Sequence, residues 1–433
     1  MVRNRTAIRT RPGGRSRAGA GGCSGVSVST RRKSGLGFAR SHRRLGYLLA
    51  AALLVSPAAG RAQPADQGNQ PVLAPPALAA AMARYRRDLA AYMQAQASYA
   101  AAAEAYWSAI AEKRHLRAAK RASHEPISLD DYVLTQPPVY SGPPKPRDSS
   151  KPHEEAPPAP AIYVPVVADF LAAAQREFKF MPRRPQSDSE FKRAYAKVAL
   201  AAGLTKEQIV RIYGFEAGGN GDYDVQAGLE YNKRARAITT ALGYNQLLAT
   251  NTVEIVAEKG AQFVRSLEAR AVQLAAAETL ALQSKLAIVR RMIDFSKSVP
   301  DDWNEHQMLA NTSKGLGVHA LNLDLDVGPL LQTQKLLDSI VFARRKGYGK
   351  MLSAAELEMM NLTGDGNGFD MIVMPLAWRD QVPTANFFQR HGYADNPVAQ
   401  RNNVVGKLMA ATDARMDEEV KKAGAKELAA ALW

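Results

Sequence analysis

From Ala77 to Arg121 the chain runs 45 residues without a Gly or a Pro, and Ala, Arg, Gln and Glu fill most of it. Such a composition favours helix at nearly every position, so one long helix is predicted over 77–122. Its apolar and aromatic residues fall at Leu78, Met82, Tyr85, Leu89, Tyr92, Gln96, Tyr99, Ala103, Tyr106 and Ile110, in alternating steps of four and three. That is a heptad seam. It suits a coiled coil that makes a homo-oligomer through residues 77–121, and equally a helix packed within its own chain; the alanines and Gln96 weaken it as a dimer interface.

After the helix, prolines from Pro137 to Pro165 are interleaved with Ser, Lys and Glu, a mixture too polar to bury a core. The reading is an extended linker over 123–165, followed by one globular domain over 166–433. Helical periodicity recurs within that domain at about 166–180, 188–202, 206–217, 328–346, 353–361, 384–391 and 397–424. Thr252 to Ser298 reads as one long helix whose apolar face belongs to the core. Asn396-Pro397 is a helix start, with Asn as cap and Pro in the first turn. Phe369 to Met374 is the one short stretch patterned like a strand. The fold class expected is all-α, or nearly so.

The formal charge of +16 invites a nucleic-acid partner until its position is considered. Residues 1–62 hold 13 Arg and Lys and no Asp or Glu, leaving 44 basic against 41 acidic residues beyond them. The rest of the chain is close to neutral, and the global case for nucleic-acid binding falls away. The basic leader runs into the uncharged segment Leu45–Val55 and then into small residues up to Ala62, a secretory signal pattern. Eleven apolar residues fall short of the roughly 20 a span needs. Cleavage near Ala62, a periplasmic location and no permanent membrane span after processing are therefore expected, with a short linker over 63–76. Cys23, the single cysteine, lies in the leader, so the remaining chain has no disulfide and no Cys-ligated metal.

The stretch with most chemical content is Thr205 to Asn220. Thr205 and Gln208 form a capping box, and Gly218-Gly219 ends the helix. Between them Ile209, Ile212, Tyr213 and Glu216 share one face, which aims a carboxyl at the core side. Burial and the negative end of the helix dipole both disfavour its ionisation. A carboxylic acid kept protonated near neutral pH is what protonating a glycosidic oxygen requires; the other reading is a Glu at a frayed end, turned to water.

Glu216-Ala-Gly-Gly-Asn220, followed by Ala241-Leu-Gly243-Tyr244-Asn-Gln246-Leu-Leu248 with Thr250 and Thr252, resembles the lytic transglycosylase and lysozyme-like superfamily, best over 188–260 and more faintly over Asn386–Leu408. The resemblance implies a lysozyme-like helical domain with Glu216 as the general acid/base. It implies a glycan groove lined by Gly243, Tyr244 and Gln246, with Tyr393 as a further groove aromatic, and peptidoglycan glycan strands as the partner. One carboxylate then suffices, because the substrate's N-acetyl group or 6-hydroxyl completes the reaction, and neither cofactor nor metal is called for. Two departures stand out: Glu216 and Gln246 are 30 residues apart, and Asn245 replaces a hydrophobic residue. A non-catalytic peptidoglycan-binding or scaffold protein of the same fold is the alternative those departures suggest. A hydrolase would want a second carboxylate, for which Asp222 and Asp224 are placed by sequence, although Gly-Asp-Tyr-Asp reads more simply as a solvated turn.

Other constellations are weaker. Asp365-Gly-Asn367-Gly-Phe-Asp370 has Leu376 where a calcium loop needs a bidentate Glu. Gly364-Asp-Gly366-Asn-Gly368 follows no strand. His306, His319 and His391 are dispersed with no H-E-x-x-H, and no G-x-S-x-G marks a serine hydrolase.

Overall fold

The computed structural model describes residues 75–148, 163–229 and 237–433. The leader over 1–62, with Cys23 and the apolar segment, lies outside the described residues, as do positions 149–162 of the proline-rich stretch. The described residues are predominantly helical and belong to one compact unit. No strand forms among them; isolated bridges such as Gln226 to Leu242 are the nearest thing to a sheet. No helix among them is long and apolar enough to cross a membrane.

The helices are α1 (Pro75–Ser123), α2 (Val167–Phe178), α3 (Asp188–Ala201), α4 (Lys206–Glu216), α5 (Ala249–Ala271), α6 (Ala276–Ser296), α7 (Trp303–Ala310) and α8 (Ser313–His319). They continue with α9 (Gly328–Arg345), α10 (Ala354–Thr363), α11 (Asp365–Val373), α12 (Leu376–Arg379), α13 (Arg390–Ala394), α14 (Pro397–Arg401), α15 (Val405–Glu419) and α16 (Ala423–Ala431). Local chemistry sets many boundaries. Thr205 and Gln208 make the reciprocal capping box of α4, Ser353 and Glu356 repeat it at α10, and Asn396 caps α14 ahead of Pro397.

Three expectations need correction. The run from Thr252 to Ser298 is two helices, α5 and α6, folded against each other. They approach so closely that a Cβ on Gly260 would lie 2.4 Å from Ile293 Cγ1. Thr279 Oγ1 caps the break by donating to the Ala271 carbonyl at 3.1 Å, so packing, with no local breaker residue, ends α5. Phe369 to Met374 is helical, within α11 up to Val373. Gly364 turns the chain at φ +82°, and Gly368 passes so near Met360 that a Cβ would sit 2.3 Å from its Cα. Finally, 124–148 is no extended spacer. It runs back along α1: Lys120 meets Asp131, Tyr106 Oη donates to the Thr135 carbonyl, and Tyr140 packs edge-on against Tyr99 and Tyr92.

That return segment covers the seam of α1 from Tyr92 onward. Ala103, Tyr106 and Ile110 are buried, and Tyr106 and Ile110 join Tyr132, Phe387, Phe388 and Leu408 in a second hydrophobic cluster. The larger cluster draws on α2 to α11, α15 and α16. It surrounds the end of α4.

Candidate functional site

Helix α4 buries Ile209, Ile212 and Tyr213 completely, as their shared face requires, and Glu216 is its last residue. Two glycines in the left-handed region follow, Gly218 at φ +63° and Gly219 at +71°, a conformation that side-chain-bearing residues resist. A Cβ on Gly219 would also strike the Glu419 carbonyl at 2.4 Å. The carbonyls of the glycine turn after the helix are met from far along the chain. Lys422 Nζ donates to Gly218 O at 2.9 Å, and Ala425 N donates to Gly219 O at 2.8 Å. Tyr213 Oη closes the turn on Gly221 O at 2.8 Å.

Glu216 is half-buried, and loss of water around its carboxyl pushes its pKa up to about 7. Asn361 Nδ2 donates to its Oε1 at 2.5 Å. Glu358, one turn before Asn361 on α10, is fully buried. Its pKa is driven well above the ordinary carboxylate value by burial and then by repulsion from Glu216. Lys335 of α9 opposes ionic repulsion at both carboxyls.

Lys335 also lines a cleft of about 230 Å³ between α5, α9 and the start of α11, together with Glu254, Glu258, Asp338 and Asp365. Burial, with help from neighbouring acids, pushes Glu254 up to about 7 against the pull of Lys335. Asp365 is also raised by burial and eased by Ser339 and Lys335. One ammonium thus acts on Glu216, Glu254, Glu358 and Asp365. Among the described residues no group of three His, Cys, Asp or Glu is arranged to hold a metal ion.

The other residues singled out in the sequence sit elsewhere. Gly243 adopts φ +82°, where a Cβ would lie 2.6 Å from Gln332 Nε2. Tyr244 is fully buried, stacked edge-on to Tyr213 at 4.8 Å, with its hydroxyl on Asp188 at 2.8 Å. Gln246 Nε2 donates to Gly243 O at 2.7 Å and to Val225 O at 3.2 Å. These three brace a turn beside α4. Asn245, the departure from the family pattern, is buried and bonds to Tyr195 and to both ends of the Gln332 unit. Tyr393 lies in the second cluster against Trp107 and Phe388, and the cleft beside Lys335 does not include it. Asp224 pairs with Arg184 at 2.6 Å and Asp222 is exposed.

Sequence reasoning missed Glu358, Asn361 and Lys335. Helix α10 is buried on almost every side, so no apolar stripe sets Glu358 apart, and Glu356 two residues earlier carries the visible capping signal. Fold and site together define a helical protein in which a half-buried carboxyl, Glu216, neighbours a fully buried one, Glu358, near a cleft lined by both acidic and basic side chains. In comparison with known proteins, no family model matches the chain, nor does any curated protein or solved structure.

Proposed function

We propose that this protein is an exported lytic transglycosylase with a lysozyme-like helical domain. It cleaves the peptidoglycan glycan strand between N-acetylmuramic acid and N-acetylglucosamine, with Glu216 as general acid/base. The observation that carries this reading is Glu216 itself: a carboxyl at a helix end, held by Asn361 and pushed up to about 7 by burial. Such a group is protonated near neutral pH and becomes a base once it has given its proton away. Protonated Glu216 delivers its proton to the glycosidic oxygen as the bond to the muramic C1 breaks. The 6-hydroxyl of that sugar then bonds to C1, and its proton returns to Glu216, giving an anhydro sugar without a second carboxylate or a metal. Export follows from the leader ending near Ala62.

A second reading, a peptidoglycan-binding scaffold without activity, is favoured by the inward use of Gly243, Tyr244 and Gln246. One experiment separates them. The chain starting at Gln63 and its Glu216→Gln variant are incubated with purified peptidoglycan, and soluble products are analysed by mass. Release of anhydro-muropeptides by the wild type alone supports the enzyme; binding by both with release by neither supports the scaffold and sinks the enzyme.

A further inference from the structure

We infer that Glu358 is a positioning residue that stays protonated and donates its O–H to Glu216, so that the Glu216 carboxylate formed on proton delivery is met by a ready donor. The inference rests on the enzyme reading above and adds a residue to it.

Three observations converge. Glu358 has no solvent exposure, and neither of its carboxyl oxygens has a hydrogen-bond partner among the described residues. An ionised carboxylate so placed is very costly. Its polar neighbours are the Glu216 carboxyl and the Asn361 amide, and Asn361 aims its hydrogen at Glu216 Oε1. Lastly, among the described residues Lys335 is the one cation that acts on both Glu216 and Glu358, and it also acts on Glu254 and Asp365, which leaves too little positive charge for both members of the pair to ionise together.

The remaining charged groups around the pair are occupied with each other. On α15, Arg415 lies over Phe215 at 5.9 Å and pairs with Glu419 at 3.3 Å, while Asp413 and Asp417 hold Arg211 of α4. Lys422 also reaches Glu419. On α3 and α16, Lys192 and Glu427 pair at 2.6 Å beside Tyr213. The proton on Glu358 therefore has Glu216 as its acceptor. It favours the Glu216 carboxylate, which opposes the effect of burial and tunes the acid downward toward neutrality. A carboxyl held neutral so that it can donate is a known use of an apolar site.

The test compares Glu358→Gln, which keeps a donor, with Glu358→Leu, which keeps bulk and loses it. Fragment release from peptidoglycan is measured from pH 5 to 9, and the Glu216 carboxyl is titrated by 13C NMR in each protein. Glu358→Leu is expected to slow release by roughly ten- to a hundredfold and to move the Glu216 titration and the alkaline limb of activity to higher pH; Glu358→Gln restores both toward wild type. A purely packing role predicts the reverse order, with Leu tolerated better than Gln, and overturns the inference, as does a Glu216 titration that Glu358→Leu leaves unmoved. If the wild type releases nothing while Glu358→Leu still shifts the Glu216 titration, the enzyme reading fails and the donor pair stands.

Discussion

Arg117 Nε lies 3.1 Å from the Asp370 carboxylate, and both side chains are without solvent exposure. The same guanidinium donates to Asp131 O at 2.9 Å and to Asn386 O at 2.8 Å, and it lies over the Tyr132 ring at 4.5 Å. One arginine of α1 thus joins the return segment, α11 and the stretch before α13. Removing one partner of a buried, hydrogen-bonded pair costs about 3–5 kcal/mol. Arg117→Ala is therefore expected to lower the urea midpoint substantially, and Arg117→Lys to recover little because a single ammonium cannot make the same fork. Unchanged unfolding in Arg117→Ala would mean that α1 does not depend on this anchor.

Gly243 combines a left-handed backbone with a neighbour that has nowhere to go. Gln332 bonds to Leu242 O, Asn322 and Asn245, so it cannot yield to a new methyl group. Gly243→Ala should cost roughly 1–3 kcal/mol from the backbone alone, with steric strain added. Thermal unfolding measures it, and a neutral result would show that the turn relaxes.

His319 is buried, and burial holds its pKa down at about 4. Its Nε2 faces the Thr240 carbonyl at 2.8 Å, so that nitrogen carries the hydrogen, and Nδ1 accepts from Thr252 Oγ1 at 2.8 Å. The folded state refuses a proton that the unfolded chain takes up below about 6.5. Stability is therefore lost as pH falls from about 6.5 toward 4, by as much as about 3 kcal/mol. Chemical denaturation across that range should show a shallower pH slope in His319→Gln than in wild type. Equal slopes would assign the acid sensitivity to other groups.

Glu254 has the opposite sign. Burial, followed by neighbouring acids, lifts it to about 7, so the folded state holds a proton that the unfolded chain has released, and stability is lost as pH rises through that range. Glu254→Gln is expected to raise the Tm at pH 8 and to change it little at pH 5. A variant less stable than wild type at both values would show that the charge is wanted in the cleft.

What was legible in the sequence was local. The capping box at Thr205, the double glycine after Glu216 and the Asn396-Pro397 start each depend on residues within one turn, and the direction of Glu216 followed from its spacing to Ile209, Ile212 and Tyr213. Contacts made at long range left no such mark. The break between α5 and α6 is set by Gly260 meeting Ile293, the helix at Phe369 by Gly368 meeting Met360, and the second carboxyl at Glu216 by α10 arriving from 142 positions further on. Tyr393 was read for its aromatic ring, whereas its surroundings are decided by where α1 packs.

The end of α4 is closed by Lys422, Gly424 and Ala425, and the donors at Lys422 and Gly424 lie 204 positions after the groups they meet at Gly218 and Asn220. While the chain is being made, Glu216 emerges long before the residues that finish its setting. The setting of this carboxyl therefore comes together late, and any chemistry that depends on it waits until nearly the whole chain is present.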